Sequence, residues 1–197
     1  MIARARQGSP APHLLVTRQQ YHPPVEIRLA SPEDAEAIRA IYNVEVLDST
    51  NTFDMVPRTE AQQETWLAVH QGVHPVIVAV EAPESTGRPV GAGGQVVLGF
   101  ASLSSYRERQ AYAATAENSV YVDRAAQGKG VGRALLAELL VLAKTHGFHS
   151  IIARIAGHNE VSIALHRSAG FELVGVEREV GRKHRQWIDV VEMQRVL

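Results

Sequence analysis

The stretch Gln127-Gly128-Lys129-Gly130-Val131-Gly132-Arg133 sets three glycines and two cations directly ahead of the apolar run 134–146. A helix N-terminus offers unpaired main-chain N–H groups and a partial positive charge. Glycines just before it let an anion reach the backbone without meeting a Cβ. Lys129 and Arg133 add local positive charge, so the chemistry on offer is capture of a phosphate or diphosphate. Two common phosphate loops do not fit. The Walker pattern needs Ser or Thr after Gly-Lys, and here Gly130 follows; the dinucleotide fingerprint needs a glycine at position 135, which is leucine. The pattern that fits is Q/R-x-x-G-x-G/A, as Gln127, Gly130 and Gly132, after the strand-like SVYV.

Other residue types with chemical potential surround it. Glu117 lies in TAENSVYV, at the start of the strand that leads into the glycine turn. A carboxylate near a cleft can be tuned upward by burial and accept a proton; the bland reading beside it is a solvated edge-strand glutamate. Ser119 and Tyr121 alternate with Glu117 and share its strand face. His166, in SIALHRSAGF, titrates near neutral pH or packs as a helix-face histidine. Asn159, in NEVS, reads first as an N-cap, with Ser162 on the following helix.

Bulk properties narrow the classes. The chain has 197 residues, net charge −1 and no cysteine. This length suits one domain with a sizeable core. Without cysteine there are no disulfides, thiolate metal sites or cysteine nucleophile. The near-zero charge recruits neither nucleic acid nor an anionic membrane, and the basic residues follow no nucleic-acid motif. Nine histidines occur, yet no HExxH or similar set, so no metal site is expected. No apolar run approaches the roughly 20 residues of a membrane span. The balance fits a cytoplasmic protein. Residues 1–24 read as a flexible extension ahead of a single domain over 25–197.

The elements that must position these residues follow from periodicity and punctuation. Strands are expected at 25–30, 75–81, 96–106, 118–123, 149–157, 171–179 and 185–197. A first helix starts at Ser31-Pro32 and buries Ala35, Ile38, Ile41, Tyr42 and Val46. A second opens at Thr59, with Trp66, Leu67 and Val69 inward. Helices at 130–146 and 159–170 follow, the former with Leu135, Leu136, Leu139, Leu140 and Leu142 in the core. The Gly/Pro segment 82–95 is a long hairpin tip or a locally disordered loop. The mixture predicts an α/β (α+β) arrangement, one mixed sheet with helices on its faces.

The glycine motif, in this strand-to-helix setting, resembles the diphosphate-binding motif of the GNAT N-acetyltransferases. From about residue 26 onward the chain resembles their phosphinothricin N-acetyltransferase group, through IRAIYNVEVLDSTNTFD, GFASLSSYRERQAY, TAENSVYVDRAAQGKGVGRALL, NEVSIALHRSAGF and VGRKHRQWIDVVEMQ. The resemblance implies a GNAT fold, a mostly antiparallel sheet with a splayed strand pair and helices on both faces. It implies acetyl-CoA as donor, bound by Tyr121, Val122, Gln127, Gly128, Lys129, Gly130, Val131, Gly132, Arg133, Asn159 and Ser162. Glu117 would be the base and His166 the acid for the departing thiolate, or an aid to the base. The Val122 N–H would polarise the thioester carbonyl. Phe53, Arg107, Arg109, Tyr112, Ser119, Tyr121, Lys183 and Trp187 would contact a small amine such as phosphinothricin or methionine sulfoximine. A homodimer is implied in the same way. The alternatives are another amine acceptor, such as a polyamine, an antibiotic or a protein N-terminus, and a catalytically silent CoA-binding module.

Overall fold

A computed structural model describes residues 25–81, 90–157 and 159–197. The expected N-terminal extension 1–24, and 82–89 of the Gly/Pro loop, lie outside the described residues. The strands are β1 (Glu26–Leu29), β2 (Val76–Glu81), β3 (Val96–Ser105), β4 (Thr115–Val122), β5 (Ser150–Ala156), β6 (Glu172–Lys183) and β7 (Gln186–Val196). The α-helices are α1 (Ala35–Asp48), α2 (Glu60–Val69), α3 (Val131–Thr145) and α4 (Glu160–Ser168). The strands form one sheet in the order β1-β2-β3-β4-β5-β7-β6. Among the described residues every strand pairing within the sheet is antiparallel except β4 with β5.

Helices cover both faces and enclose two apolar cores. One core joins the α3 leucines Leu135, Leu136, Leu139 and Leu140 to Ile77, Leu103 and Ile151. The other packs Ile38, Ile41, Tyr42 and Val46 of α1 against Val78, Val80 and Phe100. Alternation explains the split, because successive residues of a strand such as β2 face opposite cores. Leu142 packs against the first core only partly buried.

The start signals read from the sequence behave as expected. Thr59 caps α2 in a reciprocal box with Gln62, and Pro32 stands in the first turn after Ser31. Asp34 is fully buried and binds Arg28 through both oxygens, at 2.7 and 2.9 Å.

The structure corrects three boundaries and one facing. Val69 is 71% exposed, not inward. The buried stripe of α2 is Gln63 and Leu67, one turn apart, and a residue two positions beyond Leu67 lies on the far side of the helix. β4 begins at Thr115, earlier than the alternation beginning at Asn118 suggests. β6 runs to Lys183 rather than ending at 179. Its pairing shifts register between Glu177 and Gly181, with Glu179 at φ 51 and its N–H bound to the Asp189 carboxylate at 2.8 Å. That bulge interrupts the two-residue period on which a strand is read from sequence. β6 then turns into β7 through His184 and Arg185, both at positive φ, so the final strand starts one residue after 185.

Candidate active site

Two strands part to make the site. β4 pairs with β5 only from Thr115 to Asn118, opposite Ser150 to Ala153. Both continue, β4 to Val122 and β5 to Ala156. The gap between their ends opens into a cavity of about 1260 Å³. On the other edge of β4, Asp123 N–H donates to Leu98 O on β3 at 2.9 Å. Strand alternation therefore turns the Val122 N–H away from β3, toward the gap, where no strand pairing continues among the described residues.

The glycine turn forms one end of the cavity. Gly128 and Gly130 have φ of 74° and 86°, left-handed values that other residues adopt with strain. A Cβ at either would meet open space, so conformation rather than crowding calls for glycine. Ala134 N–H is the donor to Gly130 O at 3.0 Å, closing the first turn of α3. The amides of Val131, Gly132 and Arg133 precede it and have no partner within the helix. Gly130, Val131, Gly132 and Arg133 line the cavity, as do Gln127 and Gly128. A doubly charged diphosphate fits such a cradle, because free amides and the helix dipole both favour an anion there. Lys129 is exposed and does not line the cavity.

The opposite wall comes from α4. Asn159 Oδ1 accepts from Ser162 N–H at 3.0 Å, capping the helix, while its Nδ2 donates to Asn51 Oδ1 at 3.0 Å. Asn159, Ser162 and His166 line the cavity. His166 is 3% exposed, with Nε2 at 2.9 Å from Asn118 Nδ2 and Nδ1 at 2.8 Å from Ser162 O. Burial pushes its pKa down, partly offset by the bond to Ser162.

Glu117, Ser119 and Tyr121 share the other face of β4. Ser119 and Tyr121 reach the cavity. The Tyr121 ring stacks on Phe100 at 5.2 Å and meets Tyr42 edge-on at 5.1 Å, and burial raises its pKa. Tyr42 donates to Asp54 at 2.6 Å and exchanges a hydrogen bond with Thr52. Glu117 is partly buried and stands just outside the cavity lining. Burial pushes its pKa up; Arg154 opposes this, and Glu192 and Glu177 reinforce it. Arg154 lines the cavity and pairs with Glu177.

The remaining expected acceptor contacts are not part of the cavity lining. Arg107 and Arg109 are exposed, with the Arg107 guanidinium over the rings of Tyr106 and Tyr112. Phe53 lies against Gly181, where a Cβ would come within 2.4 Å of its ring. Trp187 is 60% exposed beneath the Arg182 guanidinium. Lys183 is buried, and its ammonium donates to Thr52 O at 3.0 Å and Glu45 O at 3.4 Å. These contacts tie β6 to the end of α1 and its following loop.

Glu45, Asn51, Asn118 and Arg154 are among the cavity residues that escaped the sequence reading. Glu45 binds Arg124 at 3.1 Å and Asn51 at 2.6 Å. Burial pushes its pKa up, but bonds from Ser49, Asn51 and Arg124 outweigh this and hold it low. Only Arg154 carried a signal, as a charge inside the apolar run SIIARIA.

Comparison with known proteins agrees with this architecture. A family model described as an acetyltransferase (GNAT) domain matches residues 27–191. A phosphinothricin N-acetyltransferase of Streptomyces coelicolor is 36% identical over 175 residues, 88% of this chain and 96% of that protein. An L-methionine sulfoximine/L-methionine sulfone acetyltransferase of Pseudomonas aeruginosa is 36% identical over 170 residues, 85% of this chain and 92% of that protein. The crystal structure of a phosphinothricin acetyltransferase from Sinorhizobium meliloti, in complex with acetyl-CoA, superposes with a TM-score of 0.78 at 37% identity, covering 88% of each chain. With a glycine turn and free helix-end amides at a parted strand pair, and a family match over nearly all its described length, the chain belongs to the GNAT acetyltransferase family.

Proposed function

We propose that the protein transfers the acetyl group of acetyl-CoA to the amine of a small amino-acid-like acceptor bearing an acidic group, with phosphinothricin and methionine sulfoximine as the leading candidates. The observation that carries this reading is the position of β4. Its Val122 end borders the free amides of Val131, Gly132 and Arg133, and its Glu117 end presents a carboxylate of raised pKa. One strand thus spans the anion cradle and a group able to accept a proton.

Acetyl-CoA supplies the thioester acyl group when bound. The amides at the start of α3, with Arg133, hold its diphosphate, and Asn159 and Ser162 hold the neighbouring pantetheine. An aliphatic ammonium must lose a proton before its nitrogen can attack, and Glu117 accepts it, directly or through water. The Val122 N–H donates to the oxygen on which negative charge develops. His166 returns a proton to the departing sulfur. No covalent enzyme intermediate is needed, consistent with a chain that lacks cysteine.

Relatives that acetylate phosphinothricin or methionine sulfoximine, together with local charge, support the acceptor class. Arg107 and Arg109 on an exposed segment favour an anionic acceptor. Tyr112, Phe53, Ser119, Tyr121, Lys183 and Trp187 complete the proposed acceptor surroundings, Lys183 by fixing the loop at Thr52 rather than by touching the acceptor. The reading includes a cytoplasmic homodimer. Leu173, Val174, Val176, Val180 and Trp187 are all about half exposed or more on the β6–β7 edge, an apolar surface that a second copy would cover.

Thiol release from acetyl-CoA tests the reading. Turnover is expected with phosphinothricin and methionine sulfoximine and weaker turnover with unsubstituted amino acids. Turnover with polyamines alone would overturn the acceptor class. Silence across the whole panel, with acetyl-CoA still bound, would favour a CoA-binding module.

A further inference from the structure

His166 is held at both ring nitrogens, and its partners fix where its hydrogen sits. Nδ1 faces the main-chain oxygen of Ser162 at 2.8 Å. A carbonyl only accepts, so Nδ1 carries the hydrogen. In the neutral ring Nε2 then holds a lone pair, and Asn118, at 2.9 Å, must present its NH2. The consequence appears on the other end of the amide. Asn118 Oδ1 is buried and accepts no hydrogen bond among the described residues. A buried acceptor without a donor is costly and uncommon.

Protonation of Nε2 would set donor against donor. Half a turn of the Asn118 amide relieves this, bringing Oδ1 to the new Nε2–H and leaving the NH2 unpaired instead. Each protonation state therefore leaves one end of the amide unsatisfied, and neither adds a second. The groups facing the ring are Asn118 from β4, the carbonyl and hydroxyl of Ser162 from α4, and the Phe171 ring edge-on at 5.0 Å ahead of β6. Among the described residues no charged side chain perturbs it.

We propose that Asn118 is a positioning residue for His166: it holds the neutral Nδ1–H form with both nitrogens engaged, and proton uptake or release at Nε2 is coupled to rotation of the Asn118 amide. A proton for the departing sulfur is then available only from the turned arrangement. This step rests on the proposed role of His166 in proton transfer; the hold of Asn118 on the ring does not.

Nitrogen-15 NMR of the imidazoles in the full chain separates the two. The wild type is expected to show hydrogen at Nδ1 and none at Nε2 near pH 7.5. In Asn118→Asp a carboxylate accepts from Nε2–H, so the proton affinity of His166 should rise by at least about tenfold. In Asn118→Leu the donor to Nε2 is gone while the Ser162 carbonyl still holds the hydrogen at Nδ1, so Nδ1–H should persist and the Nε2 nitrogen-15 shift should move as its hydrogen bond is lost. A wild-type ring protonated at Nε2 alone, or an Asn118→Asp titration superimposable on wild type, would overturn the proposal. Thiol-release profiles against pH read the catalytic consequence: the alkaline limb, on which a general acid loses its proton, should move with the Asn118→Asp titration. Undiminished turnover of His166→Gln would remove the histidine from the reaction while the NMR result on Asn118 stood.

Discussion

The Lys183 ammonium donates to the main-chain oxygen of Thr52 at 3.0 Å, from a side chain that is nearly fully buried. Its other contact is Glu45 O at 3.4 Å, and burial pushes its pKa down. One carbonyl near the end of α1 and one in the loop after it thus depend on one cation from β6. Lys183→Met removes the donor and keeps the aliphatic stem, leaving both carbonyls short of a partner. A loss of about 1–3 kcal/mol in urea unfolding is expected, with a raised KM for the acceptor because the loop carrying Phe53 loosens. Unchanged stability would show that water replaces the ammonium at no cost.

Removing the carboxylate of Glu117 should separate catalysis from stability. Glu117→Gln is expected to lower kcat about 10²–10⁴-fold while acetyl-CoA binds as before. The raised pKa means that the folded protein holds this proton more tightly than the unfolded chain, so ionisation costs stability as pH rises above the ordinary 4.5. The variant should therefore be as stable as wild type near pH 7.5, or more so. The acid limb of wild-type kcat/KM should lie above the ordinary carboxylate range.

His166 has the opposite sign. Its folded-state pKa is below the ordinary 6.5, so the unfolded chain binds more protons in the window between the two values. Stability from this group is complete above that window and falls as pH drops through it. The urea midpoint should decline as pH falls below the ordinary 6.5, and the decline should be shallower in His166→Gln.

Asn159 links the cap of α4 to Asn51 across the cavity mouth. Asn159→Ala should cost about 1 kcal/mol from the lost cap. It should also raise the KM for acetyl-CoA more than it changes kcat, measured by initial rates.

How much of this could be read from residue order depends on the range of each interaction. The α3 start, the Thr59 cap and the glycine turn are local, and Gln127 to Gly132 carries its own signature. The β6 bulge was hidden because Asp189, which binds the Glu179 N–H, lies on the next strand. Glu45 and Asn51 read as an ordinary helix and turn, since Arg124 and Asn159 reach them only in the folded chain. Asn118 was passed over because strand alternation assigns it to the face opposite Glu117, while the partner that gives it meaning stands on α4. Lys183 drew notice as a cation near an acceptor, and folding turned it inward to two carbonyls.

Calorimetry with acetyl-CoA tests the central claim most directly, comparing wild type with Gly130→Ala. Gly130 has φ 86° with open space where a Cβ would stand, so alanine strains the turn without blocking it. One-to-one binding by wild type is expected, weakened about tenfold or more in the variant while the fold persists by circular dichroism. Folded wild type showing no heat of association at several temperatures, or a variant that binds equally well, would contradict a diphosphate held by the amides of this turn.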